Sequence, residues 1–368
     1  MKIGILTITN GENYGNKLQN YATQKVLESF GCRVETIKNM TGKKIIDDNS
    51  IRLKIKSKAK LFICHIYNKF GIINIKKFNI ILRCFSFQKF TDKYINQSKF
   101  VISKNCIPTD ICKKYDYFVC GSDQVWNPKF NFNSEINFAT FAKKEQRIAY
   151  SPSFGISKIP EEFASQYKKW INGMNYLSIR EQSGANIIKK LTNRDAIVLI
   201  DPTLMLSKQE WMSIAKKPAW KLKNKYILTY FLGDKLKERQ KKINKIANEK
   251  KFKIINLLDI NKKNVFSADP SEFLYLINKC ELLCTDSFHG VIFSLIMKTP
   301  FIVFERKDEN ESMESRLDTL LSLFRMESRL NENIDNSKIF DVDFSNVDFI
   351  LENERNKAIL YLKNSMNL

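Results

Sequence analysis

The chain has 368 residues, 43% hydrophobic and 27% charged, with a formal net charge of +22. That length predicts two domains, since domains cluster at roughly 100–200 residues, and no apolar run reaches the ~18 residues of a membrane span. The start, Met1-Lys2-Ile3-Gly4-Ile5-Leu6, passes directly into a strand pattern without the parts of a secretory signal, which predicts a cytoplasmic protein.

Lys2 to Thr9 reads as a strand, Asn10 to Asn16 as a Gly- and Asn-rich turn, Lys17 to Phe30 as an amphipathic helix, and Arg33 to Ile37 as the next strand. The turn is not G-x-G-x-x-G, so it carries no dinucleotide fingerprint. It reads equally as a site loop or as an ordinary turn that needs positive φ.

From Ile51 to Lys104 there are thirteen Lys and Arg against one acid, Asp92, so over half of the net charge sits in one segment. Its basic residues interleave with Phe, Ile and Leu. This describes either a helical excursion with its lysines in water or a helix lying on an anionic membrane surface. His65 lies inside it and reads as structural. Nucleic acid is not the expected partner, because the charge is confined to this segment and no helix-turn-helix, RRM or zinc pattern accompanies it. The eight cysteines are scattered without a C-x-x-C pair, which predicts free thiols and no metal centre.

Tyr115 to Cys120 and Arg147 to Tyr150 read as strands. They are followed by the polar loops Gly121-Ser122-Asp123-Gln124-Val125-Trp126-Asn127 and Ser151-Pro152-Ser153-Phe154-Gly155. With the loop at Asn13 and Tyr14 these should converge at one sheet edge, where open α/β sheets bind ligands. Trp126 offers a flat face for a sugar ring there, and Asp123 reads as either a group acting on an acceptor hydroxyl or a loop cap. Strands follow at Tyr176 to Ile179, Ala196 to Ile200, Lys225 to Phe231, Phe252 to Leu257, Leu282 to Thr285 and Phe301 to Phe304, alternating with helices. That alternation predicts parallel sheets covered on both faces. The expected domains are 1–172, with a basic helical excursion at 51–104, and 173–340, with a last helix in 341–368 packing back across them.

Asp286-Ser287-Phe288-His289-Gly290 lies where a buried strand passes into a helix. Free N–H groups and the helix dipole favour anions at such a start. His289 and His65 are the chain's two histidines, so imidazole chemistry near neutral pH points to His289. Asp286 is read as a helix cap.

These stretches, with Leu18-Gln19, Tyr21-Ala22, Ser178-Ile179-Arg180-Glu181, Ser183-Gly184 and Asp201-Pro202-Thr203, run in the order of the polysaccharide pyruvyl transferase family, which the chain resembles. The resemblance implies two Rossmann-like, doubly wound domains facing across a cleft, similar to GT-B glycosyltransferases. It also implies transfer of a pyruvyl group from phosphoenolpyruvate onto two sugar hydroxyls, giving a ketal in a surface polysaccharide, on a lipid-phosphate-linked acceptor. No cofactor is expected. His289, Arg180 and Asp123 are the implied catalytic residues. The implied substrate contacts are Asn13, Tyr14, Ser122, Trp126, Asn127, Ser151, Ser153, Ser287, Gly290 and Arg316, and no metal ligand is implied. The alternatives are a GT-B glycosyltransferase using a nucleotide sugar and, with less support, a nucleic-acid-binding protein.

Overall fold

The chain is represented by a computed structural model that describes residues 1–9, 11–41, 74–130, 132–222, 224–234, 236–306 and 314–368. It opens with β1 (Lys2–Leu6), α1 (Tyr14–Ser29) and β2 (Arg33–Asn39). Helix α1 starts at Tyr14, earlier than its apolar spacing predicts, because the Asn13 side chain accepts from Asn16 N (3.3 Å) and so satisfies a donor of the first turn. Next come α2 (Ile75–Tyr94), β3 (Gln97–Ile102), β4 (Tyr117–Asp123), β5 (Arg147–Pro152), α3 (Glu161–Asn172), β6 (Tyr176–Ile179), α4 (Gln182–Thr192) and β7 (Ile197–Val198). These strands make one parallel sheet in the order β3-β2-β1-β4-β5-β6-β7. The order reverses direction between β1 and β4, the place where such sheets open a crevice beyond their carboxyl ends.

The second sheet is also parallel, in the order β11-β10-β8-β9. Its strands are β8 (Tyr226–Tyr230), β9 (Lys253–Asn256), β10 (Leu282–Thr285) and β11 (Phe301–Val303). The helices around it are α5 (Lys208–Ile214), α6 (Lys237–Lys250), α7 (Pro270–Lys279), α8 (Phe288–Met297), α9 (Glu314–Phe324) and α10 (Val347–Ser365). Every residue of β8, β10 and α8 is buried, which suits a helix that is apolar on all sides. The α/β class with parallel sheets is as the alternating pattern predicts.

Two expectations need correction. Residue 173 does not divide the sheets: β6 and β7 pair onto β5 in the first sheet, and the second begins at Tyr226. A βα repeat signals parallel strands without saying which sheet an edge strand joins. Nor is 51–104 wholly helical. Gln97–Ile102 is the edge strand β3, paired with β2 at Thr36↔Gln97 and Lys38↔Val101, its pattern hidden under the charge count. Within the described part of the segment, α2 buries Phe78, Arg83, Phe87 and Phe90. Residues 51–73, with His65, lie outside the described residues.

One apolar core joins the two halves, shared by Leu18 and Leu27 of α1, Phe273 of α7, Val291 of α8 and Leu351 and Leu362 of α10. Helix α10 returns to the first sheet: Tyr361 donates to Ala149 O (2.6 Å), and Arg355 donates to Leu204 O (2.7 Å) and Leu206 O (2.9 Å). No described helix is long and apolar enough to cross a membrane, and the described cysteines are free thiols. Leu362 is fully buried in this shared core. Leu362→Ala is therefore expected to cost ~2–5 kcal/mol in urea unfolding followed by circular dichroism, with both halves lost in one transition.

Candidate active site where the two sheets meet

The centre is a buried ion pair at the carboxyl edge of the first sheet. Arg180 follows β6 directly, its backbone held by Arg180 N to Pro152 O (3.0 Å). Its Nη1 donates to Asp201 Oδ2 at 2.7 Å, and both side chains are 1% exposed or less. Asp201 also accepts from Ser122 Oγ (2.7 Å), Thr203 Oγ1 (2.6 Å) and Thr203 N (2.9 Å). Asp123 and Glu181 stand 3.7 and 4.0 Å from the same guanidinium, whose face lies 4.4 Å from the Phe288 ring.

Burial opposes ionisation of Asp201, but His289, Arg180 and Thr203 outweigh it and hold the carboxyl well below the usual carboxylate range. Burial likewise opposes the Arg180 charge, and Asp201, Asp123 and Glu181 outweigh it, raising its pKa. For Glu181 burial wins over Arg180 and Arg316, so its carboxyl is pushed up. Arg316 is pushed down to about 10, by burial first and then by the like charge of Arg180.

His289 reaches this pair from the second sheet. Ser287 caps α8 by accepting from Gly290 N (3.4 Å), and the next turn places His289 Nε2 3.7 Å from Asp201 Oδ2. A Cβ at Gly15, in the first turn of α1, would collide with His289 Nδ1, so the imidazole fits only against a glycine. Gly290 is constrained similarly, since its Cβ would lie 2.7 Å from Thr285 Oγ1. The expected cleft is thus closed to a contact at this point. Beside it is a cavity of about 410 Å³, its wall including Arg180, Asp201, Phe288, Arg316, Leu204 and Leu320. Such a volume is in the range of small-molecule sites. Arg180 Nε and Nη2, Glu181 Oε2 and His289 Nε2 are buried without a hydrogen-bond partner among the described residues. A buried polar atom without such a bond calls for an explanation; others occur elsewhere, at Gln19, Ser103 and Asn331 among them, but here four cluster on three charged side chains.

The structure brings together His289, Arg180, Asp123, Arg316, Ser287 and Gly290, with Asn13 capping the adjoining helix. Asp123 takes φ 65° at the end of its strand, accepts from Gln124 N (2.8 Å) and turns its carboxylate to Arg180. Strain of this kind at a polar strand end is typical of sites. The Arg316 guanidinium lies 3.1 and 3.2 Å from the Gln124 amide.

Other candidates are not placed to touch a substrate. Trp126 is 0% exposed, stacked on Phe138 (4.6 Å) and donating to Asn137 O (2.9 Å), so it is core and not a sugar platform. Tyr14 is also fully buried: it donates to Ala268 O (3.0 Å) and stacks on Phe273 (4.3 Å). Ser122, Ser151 and Ser153 are buried too, and each braces a neighbouring strand end. Ser122 bonds Asp201, Ser151 donates to Leu199 O and Ile200 O (3.2 and 3.0 Å), and Ser153 donates to Glu181 Oε1 (2.9 Å). Asn127 closes its own loop by accepting from Lys129 N (2.9 Å). Polar residues after a buried strand are equally suited to bind a ligand and to satisfy loop backbone, and composition cannot separate these uses. Asp286 does not cap its helix. It accepts from Leu232 N (2.7 Å) and Gly233 N (2.9 Å) and pairs with Arg239 at 3.5 Å.

Asp201 and Glu181 had no assigned role in the sequence, although Asp201 directly follows an apolar strand pattern and Glu181 follows Arg180 at the end of another. Phe288, the ring between the two arginines (4.4 and 5.9 Å), lay within the quoted motif but was given no role of its own. Among the described residues no group of three His, Cys, Asp or Glu is placed to hold a metal ion.

Comparison with solved structures finds distant likenesses. A UDP-GlcNAc 2-epimerase from Methanocaldococcus jannaschii, in complex with UDP-GlcNAc and UDP, is 14% identical with TM-score 0.42, over 94% of each chain. One from Neisseria meningitidis, bound to UDP-GlcNAc, is 9% identical with TM-score 0.41, over 97% of this chain and 100% of that one. No curated protein matches. The family model for polysaccharide pyruvyl transferase matches residues 13–308, a span that holds Arg180, Asp201 and His289. The chain belongs to the polysaccharide pyruvyl transferase family.

Proposed function

We propose that this transferase moves a pyruvyl group from phosphoenolpyruvate onto two hydroxyls of one sugar, forming a ketal during surface polysaccharide synthesis. The observation that carries the reading is the set of buried nitrogens on Arg180 and His289 that face carboxylates at 3.7–4.0 Å but make no hydrogen bond among the described residues, brought together from two sheets beside a cavity walled by Arg180 and Arg316. Phosphoenolpyruvate is a small double anion, and guanidinium groups match both its carboxylate and its phosphate.

In this mechanism His289, protonated at Nε2, gives its proton to the enol methylene. Positive character then develops at the adjacent carbon, and a sugar hydroxyl attacks that carbon as its proton passes to Asp123. The carbon–oxygen bond to phosphate breaks, and the phosphate departs toward the arginines. A second hydroxyl closes the ketal as its proton passes to His289, restoring the imidazolium, and Asp123 gives its proton to the departing phosphate. Arg180 is held by Asp201 and so meets the anion already oriented, which lowers the reorganisation the reaction requires.

The acceptor is proposed to be lipid-phosphate-linked, with the enzyme working at the cytoplasmic face of the membrane. Helix α2 supports this: Ile75 (61%) and Ile80 (45%) are exposed near its start, as are Lys76 and Lys77, a mixture suited to anionic headgroups.

His289→Gln and Arg180→Lys in the full chain should each lower pyruvyl transfer by roughly 100-fold or more while circular dichroism stays native. The assay is mass spectrometry of a lipid-linked glycan incubated with phosphoenolpyruvate, and normal turnover in either folded variant removes the site assignment. Phosphoenolpyruvate should raise the melting temperature where nucleotide sugars do not; the reverse would favour a glycosyltransferase. Sedimentation with phosphatidylglycerol vesicles should exceed that with phosphatidylcholine and weaken with salt. Equal binding to both would remove the membrane role.

A further inference from the structure

Arg83 of α2 is buried, and its guanidinium bridges the two halves of the molecule. Nη2 donates to Glu12 O (2.9 Å), and Nη1 donates to Tyr14 Oη (3.1 Å) and to Phe266 O (2.7 Å). Glu12 and Tyr14 flank Asn13 in the loop beyond β1, whereas Phe266 precedes α7 of the second half. The guanidinium is held between the rings of Phe87 (4.6 Å), Tyr14 (4.8 Å) and Phe266 (5.1 Å). Tyr14 completes the crossing by donating to Ala268 O (3.0 Å) and stacking on Phe273.

Gly15, the next residue, is the one pressed against His289. The seating of Tyr14 therefore sets where the first turn of α1 meets the imidazole, and so the 3.7 Å between His289 and Asp201. We propose that Arg83 is a positioning residue: by clamping the Glu12–Tyr14 loop to the second half through Tyr14, it fixes His289 against the Arg180–Asp201 pair. Its consequence for catalysis rests on the pyruvyl-transfer reading; its effect on His289 does not. Lysine cannot replace it, because a single ammonium lacks the planar fork that reaches acceptors on both halves at once.

The chain's two histidines, His65 and His289, make the test direct. Full-length protein labelled on histidine gives two imidazole NMR signals, which His65→Gln assigns. Tyr14→Phe keeps the stacked ring and removes only the bridging hydroxyl, so it protects the test if Arg83→Met fails to fold. Both variants should shift the His289 signal. Turnover should fall by up to about 100-fold, as for a displacement near 1 Å, with KM for phosphoenolpyruvate little changed. An unmoved His289 signal in either folded variant overturns the proposal, as does a moved signal with unchanged turnover. A wild-type enzyme that transfers no pyruvyl group defeats the functional reading alone, and the His289 signal then still decides the role of Arg83.

Discussion

The bond between Arg180 and Asp201 is the constraint on which the rest of the site depends. Neither charge is exposed to water, and an ion buried without a partner is too costly to keep. Asp201 is accordingly saturated, with donors from Arg180, Ser122 and Thr203. Those donors stand on separate segments of the first sheet's carboxyl edge, so satisfying one carboxylate draws β4, β6 and the turn after β7 into register. Loss of one partner of such a pair costs about 3–5 kcal/mol, because the other charge is stranded. The geometry is thus enforced by electrostatics as well as by packing.

The pair leaves Arg180 Nε and Nη2 buried without a hydrogen bond among the described residues, 4.0 Å from Glu181 and 3.7 Å from Asp123. The second half completes it with little added polarity. Phe288 packs its ring against Arg180, and His289 arrives one residue later on the same turn. The continuous core through α1, α7, α8 and α10 holds the halves in contact. Helix α2 adds a polar crossing at Arg83, so the basic segment contributes to the interface as well as to surface charge.

The sequence was informative about elements and about the ends of strands. Apolar runs broken by Gly, Asn and Ser marked β1, β4, β5, β8 and β10, and the Ser-Phe-His-Gly start of α8 was visible as a place for chemistry because strand and helix periods change there. It was weaker on partners. The alternation at Tyr176 and Ala196 promised parallel strands, yet joining them to the first sheet required long-range pairing with β5. The strand at Gln97–Ile102 was concealed by the charge count of the segment around it; its one lysine, Lys99, is exposed.

Within the site, residue type fixed chemical capacity while burial fixed use. Trp126 can stack on a sugar or fill a core, and only its contact with Phe138 decides for the core. Ser122 and Ser151 can bind a ligand or brace a strand, and they brace strands. By itself the sequence determined the parallel α/β class, the strand ends where polar side chains gather, and the one histidine at a helix start. The tertiary structure alone decided that Asp201 joins Arg180 to His289 across two sheets, and that Gly15 admits the imidazole. Those contacts join residues far apart in the chain, and no local period or spacing records which distant side chain will share a buried charge.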